Sequence, residues 1–420
     1  MAAKQRNKRS KQQQDKNGTN SPSATQTSAD KDGKHVKANP KVLTPNLLQN
    51  PFFLTGVVTV VISVMAILLY LNMSWKPSRM VVVTKVHDES NPDKQREYKR
   101  SLDTIDRRSN LSLEEYRELY DGKWPVLITD ALPTMRAMNW TKKFFMEKYG
   151  NEIITIRATE DGLAGIKDTL AMPLGLFLSH LHEGQPKLWT YLMDELFLLQ
   201  KPELQDDLDD ILYLQDDFFQ LFPREIRPWN SMLLWGTKFS RSHLHIDPYN
   251  WTGTNAVFSG LKKWKLFPPG QDYLLHVKKG SNSGFPLNCF KYSSDIDAFN
   301  PDLKRFPRFA KAKAIEFDQH PGELLLIPTG WFHQAYNDEE TMAVSSQVMN
   351  INNYKIVLEE IFKAGNLKKK SLPANFDTLS PESQVKTVMR LLPKHILEKG
   401  RELTADALRQ IDGVRNKQPG

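Results

Sequence analysis

The fold of this chain turns on one stretch, Ser242–Pro268, SHLHIDPYNWTGTNAVFSGLKKWKLFP. On a β-strand, residues i and i+2 project from the same face. The spacing of His245 and Asp247 therefore predicts an imidazole nitrogen and a carboxylate oxygen side by side, followed by a β-rich run. In the next segment, KKWKLF, Lys262 shares a face with Trp264 and Leu266, while Lys263 and Lys265 point the other way. A lysine on an apolar face needs an anion, because an unpaired buried charge is costly. The alternative is a side chain that snorkels to solvent.

Working outward, PTGWFHQA places His333 in a second β-rich segment, 88 residues after His245 and just past the Pro328–Gly330 turn. Two histidines and one carboxylate on one face of an octahedral metal leave three positions open, the donor set of non-haem Fe(II) oxygenases. His243 shares the parity of His245, so HLH is a rival ligand pair of the kind seen in cupin-type sites. Those sites usually add a glutamate a few residues on, and none follows here until Glu316, so His243 reads as a strand-entry residue. Between Trp229 and Met349 come SMLLWGT, LHID, NAVFSG, KWKLFP, GELLLIP, WFHQAYN and MAVSSQV, separated by Gly, Pro, Asn and Ser. Short, regularly spaced strands of this kind predict a mainly β sandwich or barrel, including the double-sheet jelly roll. Of the aromatics near the ligands, Trp235, Trp331 and Phe332 are expected in the core. Tyr249 and Trp251, directly after the ligand pair, are the ones expected to touch substrate.

Helices flank this region. SLEEYRELY opens with Ser112 and carries Glu115 three residues later, a capping-box pattern. NWTKKFFMEKYG is a helix closed by Gly150, and PLGLFLSHL an amphipathic one. WPVLITDAL and NEIITIRA read as strands. The acidic run Gln205–Asp217 is a solvated surface segment, or a dock for a basic substrate. After Met349, YKIVLEEIFKAG, ESQVKTVMRLL and ELTADALRQI are helical, and Lys368–Lys370 between the first two is a solvated loop. There is no strong case for nucleic acid as a partner.

Net charge is +8, and residues 1–50 hold ten Lys/Arg against three Asp and no Glu. With almost no apolar periodicity, that segment reads as a disordered basic tail. Cys289 is the only cysteine, which excludes a disulfide framework and a cysteine-based zinc module. FFLTGVVTVVISVMAILLYL, residues 52–71, is uncharged for 20 residues, about 30 Å as a helix. It reads as a transmembrane anchor in contact with the lipid bilayer, a buried core helix being the alternative. The basic tail favours a cytosolic N-terminus. The expectation is thus a single-pass type II protein of the endoplasmic reticulum or another endomembrane. The sequons at Asn110, Asn139 and Asn250 are compatible with a lumenal domain. The expected divisions are 1–50 tail, 51–72 span, 73–95 stalk, 96–350 catalytic domain and 351–420 helical region.

Taken together, WPVLITDAL, HIDP with Asn255 eight residues after Asp247, SGLKKWKLFPP and GELLLIPTGWFHQAYN resemble a JmjC-domain Fe(II)/2-oxoglutarate oxygenase, in that family's order. The likeness runs from about Asp106 to Asn350 and is nearest to the small JmjC hydroxylases. It implies a double-stranded β-helix with His245, Asp247 and His333 as iron ligands. Lys262 then matches the lysine that pairs with the distal carboxylate of 2-oxoglutarate, and Asn255 a polar residue near the cosubstrate. Ser242 and Ser345 stand where close relatives carry threonine. The resemblance further implies consumption of O₂ and oxidation of a C–H bond on a protein substrate. A side-chain hydroxylase is favoured, with a histone-type N-methyl demethylase or a catalytically silent binding module as alternatives. The basis for that preference is the apolar span, which argues against chromatin as the workplace.

Overall fold

Short runs of β-branched and aromatic residues pair here into sheets whose strand order, rather than any single strand, defines the architecture. A computed structural model describes residues 63, 81–88, 91–159, 166–280 and 291–415. The expected tail, and the apolar span at 52–71 apart from Ser63, lie outside the described residues. In chain order, β1 (Val81–Asp88), β2 (Asn91–Ser101), β3 (Asp106–Arg108), β4 (Val126–Ile128), β5 (Ile153–Thr159) and β6 (Ile166–Pro173) come first. Then follow β7 (Trp189–Asp194), β8 (Met232–Gly236), β9 (Leu244–His245), β10 (Thr252–Ser259), β11 (Lys262–Phe267) and β12 (Lys278–Gly280). The last are β13 (Lys291–Ser294), β14 (Ile315–Gln319), β15 (Leu324–Ile327), β16 (Phe332–Asn337) and β17 (Thr341–Val348).

β1 and β2 form an antiparallel hairpin across the expected boundary between stalk and domain. The larger sheet has nine strands in the order β3-β4-β15-β10-β17-β8-β7-β5-β6, and the smaller has six, β12-β13-β9-β16-β11-β14. Among the described residues only β3 and β4 run parallel. From β8 to β11, and again from β14 to β17, successive strands alternate between the two sheets, so the chain winds a cupin-like sandwich. The pattern read in KKWKLF is realised: Lys262, Trp264 and Leu266 are buried and Lys263 and Lys265 half-exposed. β15, LLLI, is buried throughout, as a strand covered on both faces must be. The largest core cluster includes Trp235, Phe258, Trp264, Leu325 and Trp331.

The flanking helices are α1 (Leu113–Leu119), α2 (Lys142–Tyr149), α3 (Leu174–Ser179), α4 (Pro202–Gln205), α5 (Tyr354–Ala364), α6 (Pro381–Leu391) and α7 (Lys394–Arg415). The Ser112 side chain caps α1, accepting from the Glu115 N–H at 3.1 Å, while the Glu115 carboxylate turns instead to Arg108. Gly150 closes α2 without a left-handed φ. A Cβ at Gly150 would overlap the Met146 carbonyl oxygen, and the bare Gly175 leaves room for the Gly150 backbone beside it. The acidic run becomes a turn and a short 3-10 segment, with most of its aspartates exposed or half-exposed.

The membrane localisation is corrected. Among the described residues no helix is long and apolar enough to cross a membrane. The longest of them, α7, has 22 residues but is interrupted by charges such as Lys399, Arg401 and Glu402. The type II orientation depended on that anchor and falls with it, and the bilayer contact drawn from the same span is not shown.

Candidate active site

β9 and β16 are antiparallel neighbours in which His333 pairs in register with His245. Their rings lie 4.4 Å apart between centroids. Each Nε2 is 3.5 Å from Asp247 Oδ1. His245, Asp247 and His333 each offer one ligand atom, all within 4.8 Å of one another, and form the one such group among the described residues. The other ring nitrogens are occupied: His245 Nδ1 bonds the His243 carbonyl at 2.6 Å and His333 Nδ1 the Trp331 carbonyl at 3.1 Å. Donation from Nδ1–H fixes the tautomer and leaves Nε2 as the lone-pair nitrogen, as a metal ligand requires.

Asp247 arrives by a route the sequence reading missed. β9 ends at His245, so Asp247 does not share a strand face with it. It opens the Pro248–Asn250 turn, in which Tyr249 and Asn250 take φ of 55° and 57°. Asn250 Oδ1 accepts from the Gly330 N–H at 2.6 Å, tying this turn to the one that precedes His333. Gly253 completes the arrangement, because a Cβ there would overlap Asp247 Oδ2. Burial pushes the Asp247 carboxyl up, but the two imidazoles outweigh it and hold Asp247 well below the usual carboxylate range. For His333, burial works downward, and the attraction of Asp247 prevails and raises it. Burial, with His333 adding to it, lowers His245.

The three residues line a cavity of about 480 Å³ that also contains Ser242, Asn255, Lys262 and Ser345. Lys262 is 1% exposed, and its Nζ donates to the Tyr191 hydroxyl at 3.2 Å. Among the described residues no carboxylate lies within ion-pair distance of it, and burial lowers its ammonium to about 7. Asn255 is 3% exposed and its Oδ1 is unpartnered. The Ser345 hydroxyl donates to the Thr254 carbonyl, and Ser242 Oγ accepts from the Ala335 N–H. His243 lines the cavity but stands outside the three-residue group. Trp251 also lines it. Tyr249, expected at the substrate, is 1% exposed and packs in the core beneath α5 and α6 instead.

Three contributors carried no readable signal. Tyr191 belongs to the run WTYLMD, in which nothing sets it apart from its aromatic and apolar neighbours. Gly253 is one of 21 glycines. Gln334 is 0% exposed, and its Nε2 donates to the Ser242 carbonyl at 2.9 Å and Asp297 Oδ1 at 3.2 Å. Asp297 in turn pairs with Arg241 at 3.1 Å. These side chains clamp the segment leading into β9 against β16.

The sequence model of the cupin-like domain matches residues 112–349, more than half of the chain. The chain belongs to the cupin-like domain family. Within that family it is 28% identical over 260 residues to lysine-specific demethylase JMJ21 of Arabidopsis thaliana, covering 60% of this chain and 26% of that protein. It is 26% identical over 263 residues to the bifunctional arginine demethylase and lysyl-hydroxylase psr-1 of Caenorhabditis elegans, covering 61% and 63%. With HSPB1-associated protein 1 of Homo sapiens it shares 31% over 166 residues, covering 39% and 31%. The chain thus spans less than two thirds of the length of each of these relatives, and none of their names describes a membrane protein. The demethylase and hydroxylase names among these relatives are consistent with a 2-oxoglutarate-dependent dioxygenase that uses Fe(II). The residues present fit that pair. Two imidazoles and a carboxylate form a facial donor set, and a buried ammonium without a counter-ion shares its cavity with an unpartnered acceptor.

Proposed function

We propose that this chain hydroxylates a side chain of a protein substrate, with His245, Asp247 and His333 holding Fe(II) and 2-oxoglutarate held beside them. The observation that carries the oxygenase reading is Lys262, a buried ammonium with no carboxylate partner in the cavity that the three ligand residues line. With iron and cosubstrate bound, the chemistry supplied is 2-oxoglutarate + O₂ + R–H → succinate + CO₂ + R–OH.

The chain's own residues do the positioning. Lys262 neutralises the distal carboxylate, and Tyr191, kept protonated because burial pushes its phenol well above the usual range, adds a hydroxyl donor. Ser242 keeps its hydroxyl proton free for the cosubstrate, since its oxygen accepts from Ala335. Ser345 spends its proton on the Thr254 carbonyl and offers only lone pairs and shape. Asn255 presents an acceptor into the same space. Trp189, Trp251 and Trp264 wall the cavity and exclude water from the reacting C–H bond. N-demethylation begins with the same step, on a methyl carbon next to nitrogen, and ends with loss of formaldehyde. It is the second reading because two relatives are named demethylases.

Purified chain given Fe(II), O₂ and 2-oxoglutarate should release succinate even without substrate. The double variant His245→Ala, Asp247→Ala should release none. Equal succinate from both would remove the enzyme reading and leave a silent binding module. Product mass then separates the two chemistries, a gain of about 16 Da for hydroxylation against a loss of about 14 Da for demethylation.

A further inference from the structure

Phe267 and Phe332, the strand neighbours of Leu266 and His333, point away from the active site into a separate cluster with Leu275, Phe306 and Phe309. That cluster seats two loops on the outer face of the smaller sheet. One carries Tyr273 and His276, the other the 3-10 turn Pro307–Lys311. Gln271 stitches them together, donating to the Lys313 carbonyl and accepting the Lys313 N–H. Segment 304–313 holds Lys304, Arg305, Arg308, Lys311 and Lys313 and no acid. Beyond residue 50 the chain as a whole carries only +1, that is +8 less the +7 of its first 50 residues. The positive charge is therefore concentrated locally. Among the described residues, Lys304, Arg308, Lys311 and Lys313 pair with no carboxylate, and only Arg305 reaches one, Asp295 at 3.7 Å.

The geometry within this patch is specific. The Arg308 guanidinium lies 3.8 Å from the centroid of the Tyr273 ring, and Tyr273 is 68% exposed. One face of the phenol is thus held by a cation and the rest is open to solvent. Arg308 also bonds His276 Nδ1 at 3.0 Å. Arg308 Nε and His276 Nε2 are buried without partners. His276 sits at φ 51°, a conformation uncommon for a side-chain-bearing residue. Strain of this kind persists only where surrounding contacts impose it, and it clusters at binding sites.

We propose that this face binds single-stranded nucleic acid, with a base stacked on Tyr273 and phosphates met by Arg308, Lys311 and Lys313. An exposed aromatic among unpaired cations is the combination by which sequence-tolerant single-strand binders work, the ring serving any base and the cations tracking the backbone. An acidic polypeptide would satisfy the cations but gives no reason for the open ring. Tyr273, Arg308, Lys311 and Lys313 do not line the cavity that holds the three ligand residues.

The test uses the whole chain and a fluorescein-labelled single-stranded oligouridylate, followed by fluorescence anisotropy against salt. Tyr273→Ala should weaken binding about fivefold or more, the loss of one stacked base. Arg308→Ala should flatten the salt dependence by about 0.7 in log–log slope for each phosphate contact removed. Lys311→Ala with Lys313→Ala, both exposed and outside the packing, should do the same and guards against an effect of Arg308 on the loop fold. If all three bind like the parent chain, any affinity belongs to the basic N-terminal residues and the proposal falls. It falls equally if polyglutamate is held as tightly and Tyr273→Ala makes no difference.

Discussion

The two sheets of the sandwich hold the site in different ways. β10 of the larger sheet pairs with β17 along most of its length and with β15 over Gly253–Ala256, so Asn255 and the facing Ser345 rest on continuous backbone ladders. β9 of the smaller sheet has two residues and meets β16 through a single registered pair, His245 with His333. β13 pairs with both residues of β9 on its other side, so it is the contact of β9 with β16 that has little ladder support. Side chains fix it instead: Gln334 on the Ser242 carbonyl, Arg241 with Asp297, and Asn250 on the Gly330 N–H. Damage on the ladder side should change cosubstrate binding. Damage on the clamp side should change metal binding with the sheets intact.

The largest effect is expected at Lys262, on the first residue of β11. Lys262→Met should weaken 2-oxoglutarate binding to the Mn(II)-loaded chain on the order of 100- to 1,000-fold by calorimetric titration, the cost of removing one partner of a buried charge pair. Wild-type affinity in that variant would break the assignment. The same variant has a pH signature. In the free chain the Lys262 ammonium sits near 7 rather than near 10.5. Between those values the unfolded chain binds a proton that the native chain does not, so stability rises with pH across that window. Melting temperatures should climb from pH 7 to 9 in the parent chain without cosubstrate, and Lys262→Met should lack this part of the slope.

Next comes Gly253. Asp247 Oδ2 is the free end of a side chain, so an added methyl displaces it cheaply as far as the fold is concerned. For the site the displacement is expensive. Gly253→Ala should lower metal affinity about 100-fold by competition with a chelating dye, while the melting transition of the metal-free chain shifts little. A large fall in melting temperature with unchanged metal affinity would show that Gly253 serves β10 and not Asp247.

Smaller again is the clamp. Gln334→Leu should weaken metal binding about tenfold and leave 2-oxoglutarate affinity of the metal-saturated chain within about twofold of the parent. Parallel loss of both affinities would mean that the two halves of the cavity are not separable as the sheets suggest.

Much of this could be read from the residues alone. Histidine, aspartate and lysine are costly inside a sandwich, so His245, Asp247, His333 and Lys262 stand out among β-rich neighbours. The alternation in KKWKLF correctly turned Lys262 inward. Asp247 does lie beside both histidines, but not for the reason of strand parity. Strand parity assumes a strand, and β9 stops before Asp247, where a turn with two positive-φ residues takes over. Tyr249 illustrates the same limit, since its φ of 55° sends it into the core rather than toward the cavity. Tyr191, Gly253 and Gln334 act through what lies across from them in space, and local sequence does not encode that. The apolar run at 52–71 satisfies a hydropathy rule, but the localisation drawn from it is not supported by any helix among the described residues.

The pairing of His245 with His333 also has a consequence for synthesis. Ribosomes add about 5–20 residues per second, so the first histidine and the aspartate leave the ribosome several seconds before the second histidine exists. During that interval the nascent chain offers two donors, one on β9 and one on the turn after it, with no β16 beside them. Iron taken up then would be held weakly and open to exchange. Stable loading of the proposed site would therefore follow translation of β16 and depend on the metal supply met by the finished chain.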